Sequence, residues 1–400
     1  MTRLPYGSPT TPLPDEVDVA VVGGGIMGLA TAYHLARTSY LRIAVVEGAY
    51  LAAGASGRNG GGVRMQWSDP DNVRLMMESL RICRGLTQEL GINLWFRRGG
   101  YLFLARTPAQ VDQLERNAAM HRELGADTRL LSPTAARAIV PELDVTGVVL
   151  ASYNPHDAVV FPWPFLWGYA ARATAMGVAI RTHTKVTRIE PETATYRLHL
   201  SDGTALRTDT VILATGAYGH DLNRGLGIDL PNRPHRHEIL STAPLKPLFD
   251  PLVVDLSTGL YASQSLRGEV VAGVTLGAPD LDAPPEPIDT TSSLGFLERI
   301  GAALVRVFPR LGPVSVLRQW AGPYDFSPDG DPIVGPSPGH PKVIQMCGFT
   351  GHGFMMAPAV SRLVARYVAH GIGHPLLDRW SPARFAGPAP ARPREVMIIG

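Results

Sequence analysis

A glycine-rich turn between an apolar strand-like run and a helix-like run constrains the fold most. Residues 17–22 (VDVAVV) form a short β-branched run, and Gly23-Gly24-Gly25-Ile26-Met27-Gly28 follows directly. Residues 26–37 carry apolar side chains at helical spacing, and residues 43–47 (IAVVE) form a second strand-like run. Continuous apolar runs of this length are typical of strands buried on both faces of a parallel sheet. The pattern predicts a strand–turn–helix–strand unit.

The turn has the spacing G-x-G-x-x-G in the context in which it binds a dinucleotide. The first glycine permits the tight turn, the second lets a pyrophosphate approach the backbone, and the third lets helix and strand pack closely. The start of the helix offers unpaired N–H groups to phosphates. Glu47 ends the second strand, where a carboxylate can accept hydrogen bonds from a ribose. These residues leave both NAD and FAD open as the dinucleotide.

A second glycine-dense segment follows the predicted unit. Residues 54–62 (GASGRNGGG) could close backbone amides on a large planar or phosphorylated group. Taken alone, the segment equally fits a surface loop without a ligand. Its position directly after the unit is what favours a role in binding.

Composition excludes several classes of protein. The 400 residues are 45% hydrophobic and 18% charged, which excludes a disordered chain and favours two domains. The formal net charge of +2 provides no basic field for nucleic acid. The two cysteines, Cys83 and Cys347, exclude a disulfide scaffold and fit a reducing, cytoplasmic location. No signal peptide and no membrane-spanning segment is predicted.

The rest of the chain alternates between helical and strand patterns. Helices are predicted at 71–90, 108–124, 164–176, 294–308 and 355–370, with Pro358 in the first turn of the last one. Strands are predicted at 178–180, 185–190, 196–200, 205–207, 210–213 and 343–347, and residues 231–320 are rich in strands. We expect residues 279–287 to form a Pro/Asp loop and the two termini, 1–16 and 382–400, to be loose.

Four segments resemble the FAD-dependent amino-acid and amine oxidoreductases of the D-amino-acid oxidase, glycine oxidase and sarcosine oxidase superfamily. They are residues 21–28, Glu47 with Ala55-Ser56-Gly57, residues 210–216 (TVILATG), and residues 320–335 continuing into 348–358 (GFTGHGFMMAP). Residues 61–67 (GGVRMQW) and 154–159 (NPHDAV) are most similar to the β-subunit type of heterotetrameric sarcosine oxidase. L-proline dehydrogenase, opine oxidase and hydrogen cyanide synthase subunits are relatives of that type.

The resemblance implies FAD as the cofactor and a set of residues that hold it. Its ADP half would lie on the glycine turn and Glu47, with the adenine at Val186, and the flavin pyrimidine would lie near the Gly351 loop. The implied cofactor residues are Gly23, Gly25, Ile26, Met27, Gly28, Glu47, Gly48, Ala55, Ser56, Gly62, Val186, Ala214, Thr215, Gly216, Gly351, His352, Gly353, Phe354 and Met355. A helix that starts near Met355 would direct its positive end at the charge that builds up on a reduced flavin.

The resemblance also implies three catalytic candidates. Arg64 matches the arginine that holds the substrate carboxylate in monomeric sarcosine oxidase, and a guanidinium can bind a carboxylate with two parallel hydrogen bonds. Tyr261 falls where the family often has an active-site tyrosine, and His352 lies in the loop near the flavin. A surface arginine and a core tyrosine are the alternatives for Arg64 and Tyr261.

Several positions depart from the family pattern. Met355 stands where the monomeric enzyme has a second basic residue, and Val271 stands near the position of its oxygen-activating lysine. Fast reaction with oxygen is therefore in doubt, and a dehydrogenase is an open alternative. His156 resembles the site of covalent FMN attachment, although its flanking residues diverge. His235 and His237 alternate on a strand, but no further ligand cluster supports a metal site.

We therefore expect an α/β fold: a Rossmann-like FAD-binding domain of the GR2 type, interleaved with a substrate domain of mixed β-sheet and helices. The FAD-binding domain is assigned 17–90, 147–230 and 320–380, and the substrate domain 91–146 and 231–319.

The expected reaction is oxidation of the C–N bond of an amino acid or N-alkyl amine by hydride transfer from Cα to flavin N5, giving an imine that hydrolyses. Primary D-amino acids and 2-hydroxy acids are alternative substrates. A flavoprotein subunit that needs partner subunits or an external electron acceptor, and an FAD-free binding module, are alternatives of other classes.

Overall fold

The computed structural model describes residues 10–275, 288–386 and 395–398. Among these residues the strands, in chain order, are β1 Glu16–Val22, β2 Ile43–Val46, β3 Gly62–Val63, β4 Tyr101–Ala105, β5 Arg129–Leu131, β6 Leu150–Asn154, β7 Ala158–Val159, β8 Ala179–Arg181, β9 Val186–Pro191, β10 Tyr196–Leu200, β11 Ala205–Leu213, β12 Arg233–Thr242, β13 Leu252–Asp255, β14 Leu260–Gln264, β15 Val270–Val274, β16 Val316–Phe326, β17 Ile333–Ser337 and β18 His340–Cys347. The helices are α1 Ile26–Thr38, α2 Pro70–Leu90, α3 Pro108–Glu123, α4 Pro133–Ile139, α5 Pro162–Ala175, α6 His220–Gly225, α7 Leu294–Val307, α8 Gly353–His370 and α9 Pro375–Arg379.

The first sheet has the order β17-β18-β11-β1-β2-β8, and the hairpin β9–β10 joins it through β11. Strand β1 pairs in parallel with both β11 and β2. Its apolar side chains serve both faces of the sheet. Val19 and Val21 pack into the core with α1, α5 and α8, whereas Ala20 and Val22 pack into a second core with β9 and β10. This two-sided burial explains why residues 19–22 of β1 and all of β2 are continuous apolar runs.

The second sheet has the order β16-β12-β15-β14-β13-β4-β6-β5 and is antiparallel except where β13 pairs with β4. Leu102 and Leu104 of β4 pack on the face that α7 covers with Phe296 and Ile300. Tyr101 and Phe103 point to the opposite face. The sheet therefore has one face on a helix and another face available for a site.

The fold class predicted from the sequence is confirmed: the chain combines a largely parallel sheet, flanked by helices, with a mixed second sheet. The predicted boundaries differ from the observed sheets at two places, since β6 and the end of β16 belong to the second sheet. The division into two domains at those boundaries stays a prediction. The predicted loop at 279–287 and the first nine residues lie outside the described residues.

Three local expectations need correction. The strands predicted at 205–207 and 210–213 are one strand, β11. Helix α8 begins at Gly353, so Pro358 lies inside the helix beyond its first turn. The carboxyl-terminal region is not loose where it is described, because Pro382–Ala386 forms a short 3-10 helix and Glu395 and Met397 are buried. No helix among the described residues is long and apolar enough to cross a membrane.

Candidate cofactor and substrate site

A cavity of about 560 Å³ lies at the junction of the two sheets. The first sheet contributes Val22 at the end of β1 and Val46 at the end of β2. The second sheet contributes His237 of β12 and Tyr261 of β14. Ligands of open α/β sheets bind at the carboxyl ends of the strands, and this cavity has that position.

The predicted glycine turn forms one wall of the cavity. Gly23 adopts a φ of 112°, a left-handed conformation that favours glycine, and Gly25 lies at the start of α1. The Ile26 N–H group at that start donates a hydrogen bond of 3.0 Å to the Ser56 hydroxyl. Gly28 does not line the cavity, because it packs behind the turn, where an added Cβ would lie 2.0 Å from the Gly23 carbonyl oxygen.

Glu47 places a carboxylate at the cavity beside the glycine turn. Its two oxygens accept hydrogen bonds from the Gly24 N–H group at 2.6 Å and the Ala49 N–H group at 2.8 Å. Gly48 and Val186 line the same region of the cavity. An anchored carboxylate at the end of β2 is the arrangement that suits a ribose hydroxyl.

Most of the predicted cofactor residues line this cavity. They are Gly23, Gly25, Ile26, Met27, Glu47, Gly48, Ala55, Ser56, Val186, Ala214, Thr215, Gly216, Gly351, Gly353 and Phe354. Gly353 and Phe354 form the first turn of α8, so the positive end of that helix lies at the cavity. Gly62, His352 and Met355 do not line it.

Sequence reasoning missed several cavity residues. Arg58 and Asn59 lie in the glycine-dense segment at 54–62, and the position of that segment was the available clue. Lys185 precedes Val186 at the end of the cavity that holds Glu47. Tyr324 lies in the segment at 320–335 that carries the resemblance, and that segment was the available clue.

Tyr324, His237 and Tyr261 form an aromatic group in the wall of the cavity. The His237 ring stacks on the Tyr324 ring with a centroid distance of 4.4 Å, and its Nε2 hydrogen-bonds to the Tyr261 hydroxyl at 3.1 Å. Burial lowers the pKa of His237 to about 3, so its imidazole is neutral at physiological pH. Tyr261 is therefore a cavity residue, with its hydroxyl held by a neutral histidine.

A second, smaller compartment of about 60 Å³ adjoins the cavity. The two share Asn59, Tyr261, Tyr324, Gly351 and Phe354 as lining residues. The compartment is further lined by Gly62, Arg64, Tyr101, Leu252, Val254 and Met355. Arg64 is therefore the cation of a small, otherwise largely apolar compartment next to the cavity.

Arg64 is 1% exposed and is not a surface arginine. Its guanidinium donates hydrogen bonds to the carbonyl oxygens of Gln66 and Met397, and it lies 4.5 Å from the centre of the Trp67 ring. Burial lowers the pKa of Arg64, and the negative charge of Glu395 opposes that effect. The guanidinium therefore lies in a dry site with its countercharge at a distance, a setting that favours an incoming anion.

His352 lies beside Arg64 rather than at the large cavity. Its Nε2 accepts a hydrogen bond of 3.2 Å from the Arg64 guanidinium, and its ring packs edge-on against Trp67. This contact orients the arginine. Met355, which follows on α8, contributes an apolar wall to the small compartment, where a second basic residue was the family expectation.

Asp157 holds the backbone and side chain of the residues that follow Arg64. It accepts hydrogen bonds from the Met65 N–H group at 2.6 Å and the Gln66 side chain at 3.1 Å. Burial raises the pKa of Asp157 to about 7. The neighbouring His156 lines neither of the two cavities, and neither does Val271.

Among the described residues, no group of His, Cys, Asp or Glu side chains could hold a metal ion. His235 packs edge-on against Phe326 and does not line the large cavity, whereas His237 does.

The lining residues fit FAD. The glycine turn leaves bare backbone at the start of α1, where a Cβ on Gly25 would come within 3.1 Å of the Ser56 oxygen. Glu47 suits the ribose, and the start of α8 suits a group that gains negative charge. The volume lies within the range of pockets that bury cofactor-sized ligands.

Comparisons with known proteins identify the family of the chain. The sequence profile described as FAD dependent oxidoreductase, DAO, matches residues 18–367. FAD-dependent oxidoreductase domain-containing protein 1 of Bos taurus is 31% identical over an alignment of 407 positions, gaps included, which covers 90% of this chain and 82% of that protein. Sarcosine oxidase subunit beta of Rhizobium meliloti is 31% identical over 366 residues, covering 88% of this chain and 85% of that protein.

The crystal structure of L-proline dehydrogenase from P. horikoshii has the same fold. It matches with a TM-score of 0.86 at 31% identity, covering 94% of this chain and 99% of that one. The glycine turn, Glu47 and the Gly351 loop all lie within residues 18–367, the region that matches the family, and all three line the cavity. The chain therefore belongs to the DAO family and is an FAD-dependent oxidoreductase.

Proposed function

We propose that the chain oxidises the C–N bond of an amino acid or a secondary amine of the sarcosine, proline or opine kind. The observation that carries this proposal is Arg64, a buried cation at a compartment that opens beside the cofactor cavity. A carboxylate is the substrate group that a planar guanidinium binds best. The similarity to proteins named for sarcosine and L-proline supports the same substrate class.

Each residue of the compartment has a distinct proposed role. Arg64 binds the substrate carboxylate, and His352 holds the Arg64 guanidinium in place. Tyr261 borders both spaces, and its ring, held through its hydroxyl by His237, forms a wall between substrate and cofactor. The apolar walls Met355 and Leu252 exclude water and keep the substrate oriented.

The glycine turn, Glu47 and the first turn of α8 would hold FAD, which when bound would supply the oxidising power as acceptor of a hydride equivalent from the substrate carbon. The N–H groups at the first turn of α8 favour negative charge at that end of the cavity. The protein itself need not remove a proton if the amine binds in its neutral form. Its contribution is to align the substrate between Arg64 and the cofactor.

An anaerobic titration of the FAD-loaded protein tests the proposal. Flavin absorbance at about 450 nm would be followed while candidate substrates are added in turn. The candidates are sarcosine, L-proline, D-proline, primary amino acids, 2-hydroxy acids and opines. Bleaching by the secondary amino acids supports the proposal, whereas bleaching by 2-hydroxy acids alone would contradict it. Admitting air afterwards separates an oxidase from a dehydrogenase by the rate at which absorbance returns.

Arg64→Lys gives a sharper test of the carboxylate role. We expect KM for a carboxylate substrate to rise by about 100-fold, because lysine keeps the charge but loses the two parallel hydrogen bonds. The matched control is the corresponding substrate amide, whose KM should change little. An equal loss for acid and amide would mean that Arg64 has a structural role only.

A second candidate is that the chain works as one subunit of a larger dehydrogenase. The similarity to a protein named sarcosine oxidase subunit beta favours it. In that case the isolated chain would bind FAD, yet no amine would bleach it until a partner subunit is added. We also propose a cytoplasmic location, in keeping with Cys83 and Cys347, which are free, buried thiols.

A further inference from the structure

A distant segment of the chain contacts the proposed substrate anchor. The Met397 carbonyl oxygen accepts a hydrogen bond of 2.5 Å from the Arg64 guanidinium. The Met397 side chain is 3% exposed and belongs to the apolar cluster that contains Tyr101, Leu252 and Tyr261. All three of these residues line the 60 Å³ compartment. The segment therefore packs on residues that line the compartment and occupies part of the hydrogen-bonding capacity of Arg64.

Glu395 fixes the segment two residues earlier. Its carboxylate is 1% exposed and accepts hydrogen bonds from the Ser68 N–H group at 3.0 Å, the Ser68 hydroxyl at 2.6 Å and the Asn72 side chain at 3.2 Å. It also accepts the Met397 N–H group at 2.7 Å, which bends the segment toward Arg64. Val396 between them donates its N–H group to Ser68, while its side chain is 56% exposed.

The contact with Arg64 is weak in one respect. A backbone carbonyl is a neutral acceptor, whereas hydrogen bonds between a guanidinium and a carboxylate are charge-assisted and stronger. The guanidinium is buried, so a carboxylate brought to it would gain more than it would at the surface. A substrate carboxylate can therefore displace the Met397 carbonyl, at the cost of releasing the segment.

We propose that residues 395–397, here called the strap, act as an intramolecular competitor of the substrate carboxylate. The strap binds Arg64 when no substrate is present, and it is displaced when substrate binds. The apolar side chain of Met397 anchors the strap in the cluster that contains Tyr101, Leu252 and Tyr261. This inference rests on the proposed role of Arg64 in binding a carboxylate.

Carboxylate affinity tests the proposal in the FAD-loaded protein. The probe is pyrrole-2-carboxylate, a planar carboxylate without a hydrogen on its α-carbon, and binding is followed through the visible spectrum of the flavin. We expect Glu395→Ala to lower the dissociation constant of the probe by about tenfold, as expected if the strap covers Arg64 about nine-tenths of the time. Unchanged or weaker binding by the variant would overturn the proposal.

Two further variants serve as a substitute and a control. Met397→Ala shortens the apolar anchor and leaves the negative charge of Glu395 near Arg64 in place. Tighter binding in this variant therefore reports release of the strap and not loss of a repelling charge, and it remains measurable even if Glu395→Ala fails to fold. Val396→Ala changes a side chain that points to solvent and should leave the affinity unchanged. A similar gain in Val396→Ala would mean that the effect is not specific to the docked contacts.

Displacement can also be followed directly. In Met397→Cys, maleimide labelling of the new thiol should be slow and should speed up when the probe is added at saturation. Labelling in Val396→Cys should be fast in both conditions, and the native thiols Cys83 and Cys347 are buried. A labelling rate at position 397 that stays constant or falls when the probe is bound would overturn the proposal.

The two proposals can fail separately. If the probe speeds up labelling at position 397 but no amine bleaches the flavin, the strap is supported and the proposed reaction of the isolated chain is wrong. If an amine bleaches the flavin while position 397 stays protected, the proposed reaction is supported and the strap is not a competitor.

Discussion

Burial holds two histidines in their neutral form, and they illustrate what single residues contribute. His237 is neutral inside the cavity wall, where it can hold the Tyr261 hydroxyl without adding a charge near the cofactor. His34 lies in α1 beside Tyr33 and Tyr169 and does not line the cavity, and burial lowers its pKa to about 3. Both residues bind a proton more weakly in the folded protein than in the unfolded chain.

His34 therefore makes folding sensitive to acid. The unfolded chain takes up a proton below a pH of about 6.5, and the folded protein does not until about 3, so stability falls as the pH drops through that window. We expect His34→Leu to remove about 1.4 kcal/mol of this loss per pH unit, measured as the free energy of unfolding in urea. The control is Leu35→Val, a change at a buried neighbour in the same helix that carries no titrating proton, and it should leave the slope unchanged. An identical slope in wild type and His34→Leu would contradict the assignment.

At the scale of elements, some helices combine strongly stabilised ends with interior residues that lower helix stability. Helix α2 has strong termini, with Asp69 accepting the N–H groups of Asp71 and Asn72 and with Gly91 ending it. Helices α2 and α7 nevertheless contain glycines, Gly85 and Gly301, where an added Cβ would meet nothing within 4 Å. Glycine inside a helix costs stability because the unfolded chain loses more freedom there.

Gly85→Ala and Gly301→Ala should each raise the free energy of unfolding by about 1 kcal/mol. The two sites lie in different helices and different cores, so the double variant should show the sum of the two effects. Urea unfolding with a constant m-value is the measurement. A loss of stability in either variant would mean that the helix is more crowded there than the structure indicates.

Many of these elements could be predicted from local sequence patterns. Features that depend on contacts between residues far apart in sequence could not. The unit β1–α1–β2 was predictable because its apolar spacing and its glycine turn are contiguous in sequence. The role of Pro358 was not, because the start of α8 is set by the loop before it. The packing of Met397 against Arg64 was hidden because the segment carries no pattern and its partner lies far away in sequence.

At the scale of the whole molecule, the cofactor cavity joins the two sheets. Val22 and Val46 come from the first sheet, whereas His237, Tyr261 and Tyr324 come from the second. A direct link beside it is the Trp320 side chain, which donates a hydrogen bond of 2.9 Å to the Arg58 carbonyl. A ligand that fills the cavity therefore contacts both halves at once.

FAD should consequently stabilise both sheets and not only the one with the glycine turn. At a thousandfold excess over its dissociation constant, FAD should add about 4 kcal/mol to the free energy of unfolding. Hydrogen exchange with and without FAD would locate the effect, and we expect slower exchange in β1 and β2 and also in β12 and β16. The short helix α4, which lines no part of the cavity, is the internal control. Slower exchange confined to the first sheet would contradict a shared cofactor site.

The order of strands in the first sheet has a consequence for synthesis of the protein. Strand β1 lies between β2 and β11, and β11 pairs in turn with β18, whose residues are made much later than those of β1. On the ribosome, the glycine turn is therefore complete long before the sheet around it can close. Contacts so distant in sequence fold slowly and leave strand edges exposed in the meantime. The nascent chain should need protection by chaperones until β18 has emerged.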